Sequence, residues 1–239
     1  YTNNLTNHFS GVNINCYNIP IDSNNPFSFA KVAIQPLLVN PDVIHIQHEY
    51  GQFGTASIMS LIFFPVLYLI AAFKQIPVVV TMHEGLNGQL VAKPFKYPKR
   101  LYVHLLNLVI TVGADMVLFL SEQTAEEVGQ SIDIYQTTIL HHGVSTEKYI
   151  DIQKTEAKKR LGYDPDDVLI SEPGFIEPRK GSDRFVKIAE RFPKYDFVLG
   201  GGASSSNYRD YVDMIEREAP NNLTVTGRLD EEQFHLLFL

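Results

Sequence analysis

At 239 residues and 45% hydrophobic content, the chain is long enough to hold two domains, each with a core of its own. A formal charge of -7 at pH 7 excludes general nucleic-acid binding, which needs a basic footprint. A single cysteine, Cys16, excludes an internal disulfide and suits a reducing, cytoplasmic setting.

The chain opens on what reads as the later part of a helix, residues 1–9, with Leu5 and Phe9 four apart. An alternating, strand-like run follows at 12–17, then a loop rich in Asn, Asp, Ser and Pro at 19–27. The first strong strand is DVIHIQ at 42–47, which runs into His48, Glu49, Tyr50 and Gly51. Alternation puts His45 and Gln47 on one side and His48 on the other, so His45 and His48 do not form a metal pair on an unbroken strand. A G-x-F-G run at 51–54 supplies a flexible strand-to-helix loop.

Residues 58–73 are almost wholly apolar, but the run is shorter than the roughly 20 residues a membrane span needs and contains Pro65, so it reads as a buried helix. The next strand, 76–82, ends in His83, Glu84 and Gly85. KPFKYPKR at 93–100 packs Lys93, Lys96, Lys99 and Arg100 into a loop, either solvated or a patch for an anionic acceptor or lipid headgroups in peripheral membrane contact. A helix at 101–112 and a strand at 115–120 lead to Ser121, an N-cap with acids in the early turns of its helix. A fourth strand, 137–140, ends in His141, His142 and Gly143. Strands alternating with helices imply a parallel, doubly wound sheet, whose ligands lie beyond the carboxyl ends of the strands. His48, Glu49, His83, Glu84, Ser121, Glu122 and His142 would gather there, though any one of them also reads as a cap or a core residue.

A charged stretch then places a hinge between about 145 and 166, dividing the chain into domains 1–147 and 148–239. The second half reads β at 168–174, α at 182–192, β at 195–200, α at 207–218, β at 222–226 and α at 230–239. Within DVLISEPGFIEPRKGSD, at 167–183, a strand passes through a loop holding Arg179 and Lys180 to a helix start where Ser182 or Asp183 can cap. Cations beside a helix N-terminus suit a phosphate, and a solvated pair on an ordinary turn is the bland alternative. Gly200, Gly201 and Gly202 close the neighbouring strand, so two loops built for close backbone approach point to one diphosphate between them. The sequons at Asn4 and Asn222 read as incidental.

The ordered series PDVIHIQHEYGQFG, IPVVVTMHEG, ADMVLFLSE, ILHHGV, GFIEPRKGSDRFV, FVLGGGAS and VTGRLDEEQ resembles the family 4 glycosyltransferases of the GT-B fold, over most of the chain. The resemblance implies two Rossmann-like domains facing a cleft, incomplete at both ends. It also implies transfer of a sugar from a nucleotide-diphospho-sugar to a glycan, lipid or small-molecule acceptor, with retention and without a metal or other cofactor. Lys180 matches the family's donor-phosphate lysine, while Phe175 stands where its arginine partner belongs, leaving Arg179 as the substitute. His83 matches the histidine near the donor sugar, and Gly227 and Arg228 match the backbone lining the base. The family's paired glutamates would lie beyond Leu239. On this reading the 239 residues alone bind nucleotide weakly and transfer nothing. A GT-B epimerase and a non-catalytic sugar-nucleotide module stay open, whereas a nicotinamide dehydrogenase is disfavoured because Ser205 stands at the third glycine of its fingerprint.

Overall fold

The structure, a computed structural model, describes residues 14–87, 95–143 and 152–239. The chain divides into two compact units, Tyr1–Gly143 and Val144–Leu239. The helical reading of 1–9 lies outside the described residues, as do Lys93 and much of the expected hinge. Residues 14–18 carry no strand, which corrects the strand-like reading of 12–17 where it can be compared.

Unit 1 begins with α1 (Pro26–Ala33), whose cap Asn25 accepts from the Phe27 amide while Pro26 occupies the first turn, where no amide is needed. A single turn, α2 (Pro36–Val39), leads to β1 (Ile44–His48). Then come α3 (Ser60–Lys74), β2 (Val78–Met82), α4 (Lys96–Thr111), β3 (Met116–Phe119), α5 (Glu122–Gly129) and β4 (Thr137–Ile139). The strands pair in parallel in the order β1-β2-β3-β4, with Ile44 opposite Val78 and Val80 opposite Val117. Asp115 pins the start of β3: its carboxylate accepts from the Val78 amide at 2.7 Å and its own amide donates to the Val78 carbonyl at 2.8 Å.

The core of unit 1 is aromatic on one side of the sheet, with Phe29, Phe53, Phe63, Phe64 and Phe119 buried against Val78, Val80 and Met82. Each such side chain contributes about 1.5–3 kcal/mol by leaving water. The apolar run at 58–73 is a helix, but it is not buried all round. Phe63, Phe64, Leu67 and Ala71 face the core, while Ile58, Ile62, Leu69 and Phe73 are exposed. A helix in a layer over a sheet covers it with one face only, so the other needs a different explanation. KPFKYPKR is also less of a loop than its prolines suggest: α4 starts at Lys96, and Pro98 sits in the first turn, whose amides have no intrahelical acceptor.

Unit 2 runs α6 (Lys154–Arg160), β5 (Leu169–Pro173), α7 (Ser182–Arg191), β6 (Asp196–Gly200), α8 (Arg209–Glu218), β7 (Leu223–Val225) and α9 (Glu231–Leu236). Its three strands are parallel in the order β5-β6-β7. Val186 and Ala189 of α7, Val212 and Ile215 of α8, and Phe197, Leu199 and Leu223 of the sheet make the core. The Asn222 side-chain amide donates to the carbonyls of Ala189, Phe192 and Tyr195, which explains this asparagine without a glycan. Leu237, just after α9, is buried, and its carbonyl accepts from the Ser171 hydroxyl at 2.7 Å. Phe238 is exposed.

Candidate functional site

In unit 2 the loops after all three strands converge on the glycines that end β6. The Gly200 carbonyl accepts from the Gly174 amide and the Gly202 carbonyl from the Ile176 amide, both at 3.0 Å, so the β5 and β6 loops are laced by backbone alone. A Cβ on Gly201 would stand 1.8 Å from the Gly174 oxygen, an approach open only to glycine. A Cβ on Gly202 would stand 3.5 Å from the Arg228 amide nitrogen and 3.8 Å from the Gly227 Cα, so the β7 loop arrives on the other side. Gly201 is buried and its amide donates to the Leu199 carbonyl, which makes it a packing residue and corrects its reading as a phosphate donor. Among the described residues the amides of Gly202, Ala203 and Ser204 donate to no backbone carbonyl.

Arg179 and Lys180 lie on a 3-10 turn, Pro178–Lys180, closed by Gly181 at φ 82°. Arg179 is exposed and pairs with Glu177 of its own loop at 3.6 Å. Neither Ser182 nor Asp183 caps α7. The cap is Gly181; the buried Ser182 hydroxyl donates to Glu172, and Asp183 meets Tyr211. Glu172 is a residue the sequence reading passed over. Burial pushes its carboxyl above the usual range, while the Ser182 hydroxyl and the charge of Lys180 act the other way. Lys180 and Glu172 therefore share one charge environment, in which burial of the carboxyl is the largest influence. Gly227, at φ 69°, and the exposed Arg228 follow β7 beside Gly202.

In unit 1 the strand ends divide into a polar relay and a buried ring. Gln47 projects from β1 beside His83, which follows β2: the Gln47 carboxamide oxygen lies 2.7 Å from His83 Nε2, and its nitrogen 3.0 Å from His45 Nε2, itself 2.8 Å from Thr81 Oγ1. A carboxamide oxygen only accepts, so His83 carries its proton on Nε2 and its remaining lone pair on Nδ1. The His142 ring packs edge-on to His83 with centroids 5.4 Å apart. Burial first, then the neighbouring His142, lower the His83 pKa, and Glu49 opposes them. His83, Glu49 and His142 are therefore brought together, with Gln47 as the member that the sequence reading placed beside His45 and not beside His83. Glu84 is exposed next to His83 along the chain.

His48 and Ser121 take structural roles. His48 is 0% exposed, packed against Tyr50, Phe53 and Phe64, and neither ring nitrogen has a hydrogen-bond partner among the described residues. Burial, with a smaller contribution from His83, pushes its pKa down to about 3. It is a neutral core residue, which corrects its assignment to the ligand side. Alternation had put it opposite Gln47, and in unit 1 that face is the core. Ser121 caps α5, its hydroxyl accepting from the Thr124 amide at 3.2 Å. Among the described residues no cluster of three or more His, Cys, Asp or Glu could hold a metal ion.

No protein-family profile matches the chain. Among curated proteins it is 26% identical over 118 residues to the alpha-galactosylglucosyldiacylglycerol synthase of Streptococcus pneumoniae, covering 46% of this chain and 31% of that protein. It is 30% identical over 88 residues to the D-inositol 3-phosphate glycosyltransferase of Mycobacteroides abscessus, covering 35% of this chain and 20% of the relative. Among solved structures, HepE of Anabaena in complex with UDP aligns with TM-score 0.64 at 17% identity, over 86% of this chain and 53% of that one. The UDP-GlcNAc 2-epimerase of Neisseria meningitidis aligns with TM-score 0.54 at 14% identity, over 92% of this chain and 60% of the other. The chain has the α/β GT-B fold of these structures, and the curated relatives are glycosyltransferases. It spans less than a third of the length of the curated relatives it matches.

Proposed function

We propose that the protein is a glycosyltransferase that moves a sugar from a nucleotide-diphospho-sugar to an acceptor hydroxyl, with retention at the anomeric carbon and without a metal. The observation that carries this reading is the convergence of three strand-end loops on Gly202, one of them the loop that goes on to carry Lys180, in a chain whose curated relatives are glycosyltransferases. Backbone amides at 202–204 and the Lys180 ammonium are the donors a departing diphosphate needs, since its charge grows as the bond to the anomeric carbon breaks. The acceptor oxygen forms the new bond on the same face, and its proton passes to the departing diphosphate. Gly227 and Arg228 line the nucleotide base. In unit 1, His83, held in one tautomer by Gln47, orients hydroxyls, with Glu49, Glu84 and His142 around it.

The acceptor is a glycan, a lipid or a small molecule, and the protein works in the cytoplasm. The cationic first turn of α4, with Lys96, Lys99 and Arg100, is its contact with a membrane surface. No helix among the described residues is long and apolar enough to cross a membrane. The likeness to a UDP-GlcNAc 2-epimerase favours a second reading, acceptor-independent isomerisation of the donor sugar. A panel of nucleotide sugars incubated with and without acceptors separates the two by product analysis. Transfer requires a glycosylated acceptor and released nucleoside diphosphate. An epimerised nucleotide sugar without acceptor overturns it.

A further inference from the structure

The outer faces of α3 and α4 remain unexplained by the sheet they cover. The two helices lie side by side and run in the same direction: the Tyr102 hydroxyl reaches the Ala56 carbonyl at 2.8 Å just before α3, and the Tyr68 hydroxyl reaches the Ile110 carbonyl near the far end. On α3, Ile62, Leu69 (73% exposed) and Phe73 (81%) repeat at helical spacing opposite the buried Phe63, Phe64 and Leu67. On α4, Tyr97 (83%) and Leu101, with Val112 at its C-cap, do the same opposite Leu106 and Ile110. Two helices about 24 Å long and about 9 Å apart carry these side chains on adjacent faces, and an exposed apolar patch of a few hundred Å² is often functional.

Charge decides what fits this face. The protein carries a net -7, yet neither helix contains a carboxylate, and the whole stretch from 55 to 112 contains only Glu84, which sits on a strand end. Lys96, Lys99 and Arg100 gather at the start of α4, and Lys74 ends α3. A second copy of the chain would bring the same cations and no carboxylates from these helices, so it offers them no complement. An anionic bilayer supplies both halves: acyl chains for the apolar stripe and phosphates for the cations, with Tyr97 at the boundary.

We infer that the paired outer faces of α3 and α4 form a docking surface that lies in the interface of an anionic membrane. This rests on the membrane contact proposed above for the start of α4 and extends it to α3; it does not rest on sugar transfer. The test is flotation of the purified full chain with vesicles of phosphatidylcholine alone or with 30 mol% phosphatidylglycerol. Two surface variants, Leu69→Ser/Phe73→Ser and Lys96→Glu/Lys99→Glu/Arg100→Glu, are run beside it, with circular dichroism to verify their folds. The chain should float with the anionic vesicles, weakly with the neutral ones, and less in high salt. At about a factor of five per cation, loss of three cations alone weakens binding roughly a hundredfold, and the charge-reversed variant, which adds repulsion, should lose at least that. The serine variant should lose binding even at low salt. Equal flotation with both vesicles, or none with either, overturns the inference. So does a dimer seen by light scattering that Leu69→Ser/Phe73→Ser abolishes in the absence of vesicle binding. Nucleotide titration of the same samples reads the donor site separately, so failure of one leaves the other standing.

Discussion

Gly201→Ala is the most discriminating single change in unit 2. The new methyl would sit 1.8 Å from the Gly174 oxygen and 2.8 Å from its carbon, both backbone atoms. Rotamer changes cannot relieve that contact. The β5 and β6 loops would have to separate by roughly 1.6 Å to restore ordinary spacing. The two hydrogen bonds that lace them, each 3.0 Å, would stretch past useful length. Losing two bonds at about 0.5–1.5 kcal/mol each, with about 1–3 kcal/mol of overpacking, outweighs the 0.4–1 kcal/mol or so that alanine contributes by restricting the unfolded chain. The expected loss is about 2–5 kcal/mol, read from the midpoint and slope of urea unfolding. Gly202→Ala is the control: its methyl meets the Arg228 nitrogen at 3.5 Å, an ordinary contact, so stability should stay within about 1 kcal/mol. Nucleoside diphosphate affinity should still fall, because the methyl stands where the phosphate approaches the backbone. Gly200→Ala meets the Leu237 side chain, which can turn away, and should fall between the two. A Gly201→Ala variant as stable as the wild type would refute the close-approach argument and with it the geometry of the site.

Lys180→Ala should weaken nucleoside diphosphate binding about ten- to a hundredfold by calorimetry and leave nucleoside binding unchanged, since a charge-assisted contact is worth about 1.5–3 kcal/mol; equal losses for both ligands would remove Lys180 from the phosphate. Gln47→Leu deletes the acceptor that fixes the His83 tautomer and should lower turnover by up to about tenfold with KM for the donor unchanged, whereas His83→Ala lowers it further. An unaltered turnover number in both variants would take His83 out of the site. His48→Leu should reduce acid sensitivity. A folded-state pKa near 3 against about 6.5 in the unfolded chain means that the unfolded state alone takes up a proton between these values, so stability falls as pH drops through that window. Urea unfolding at pH 7.5 and 5.0 should show the variant losing about 2 kcal/mol less than the wild type, and identical losses would place His48 in a wetter or paired setting.

The alternation of strands and helices, and the polar residues closing each strand, were readable along the chain because period and punctuation are local properties. So was the parallel arrangement, since strands separated by helix-length segments can pair only by crossovers. The glycines at 200–202 were legible as a close approach. What they approach was not, because Gly174 lies in the loop after β5, more than twenty residues earlier. Other readings stopped at the same kind of limit. Alternation separated His48 from Gln47 correctly but could not say which face the helices would cover, and that choice made one a core ring and the other a partner of His83. The run at 58–73 was apolar enough to pass for a buried helix, and only its place in a single layer over the sheet exposed Leu69 and Phe73. Lys180 and Glu172 stand eight residues apart, outside any local period, and share a charge environment because β5 turns back through Gly181 into α7. Sequence determines the periodicity and chemistry of each segment, whereas burial and proximity depend on which segments pack together, and that is settled only when the sheet and its helices assemble.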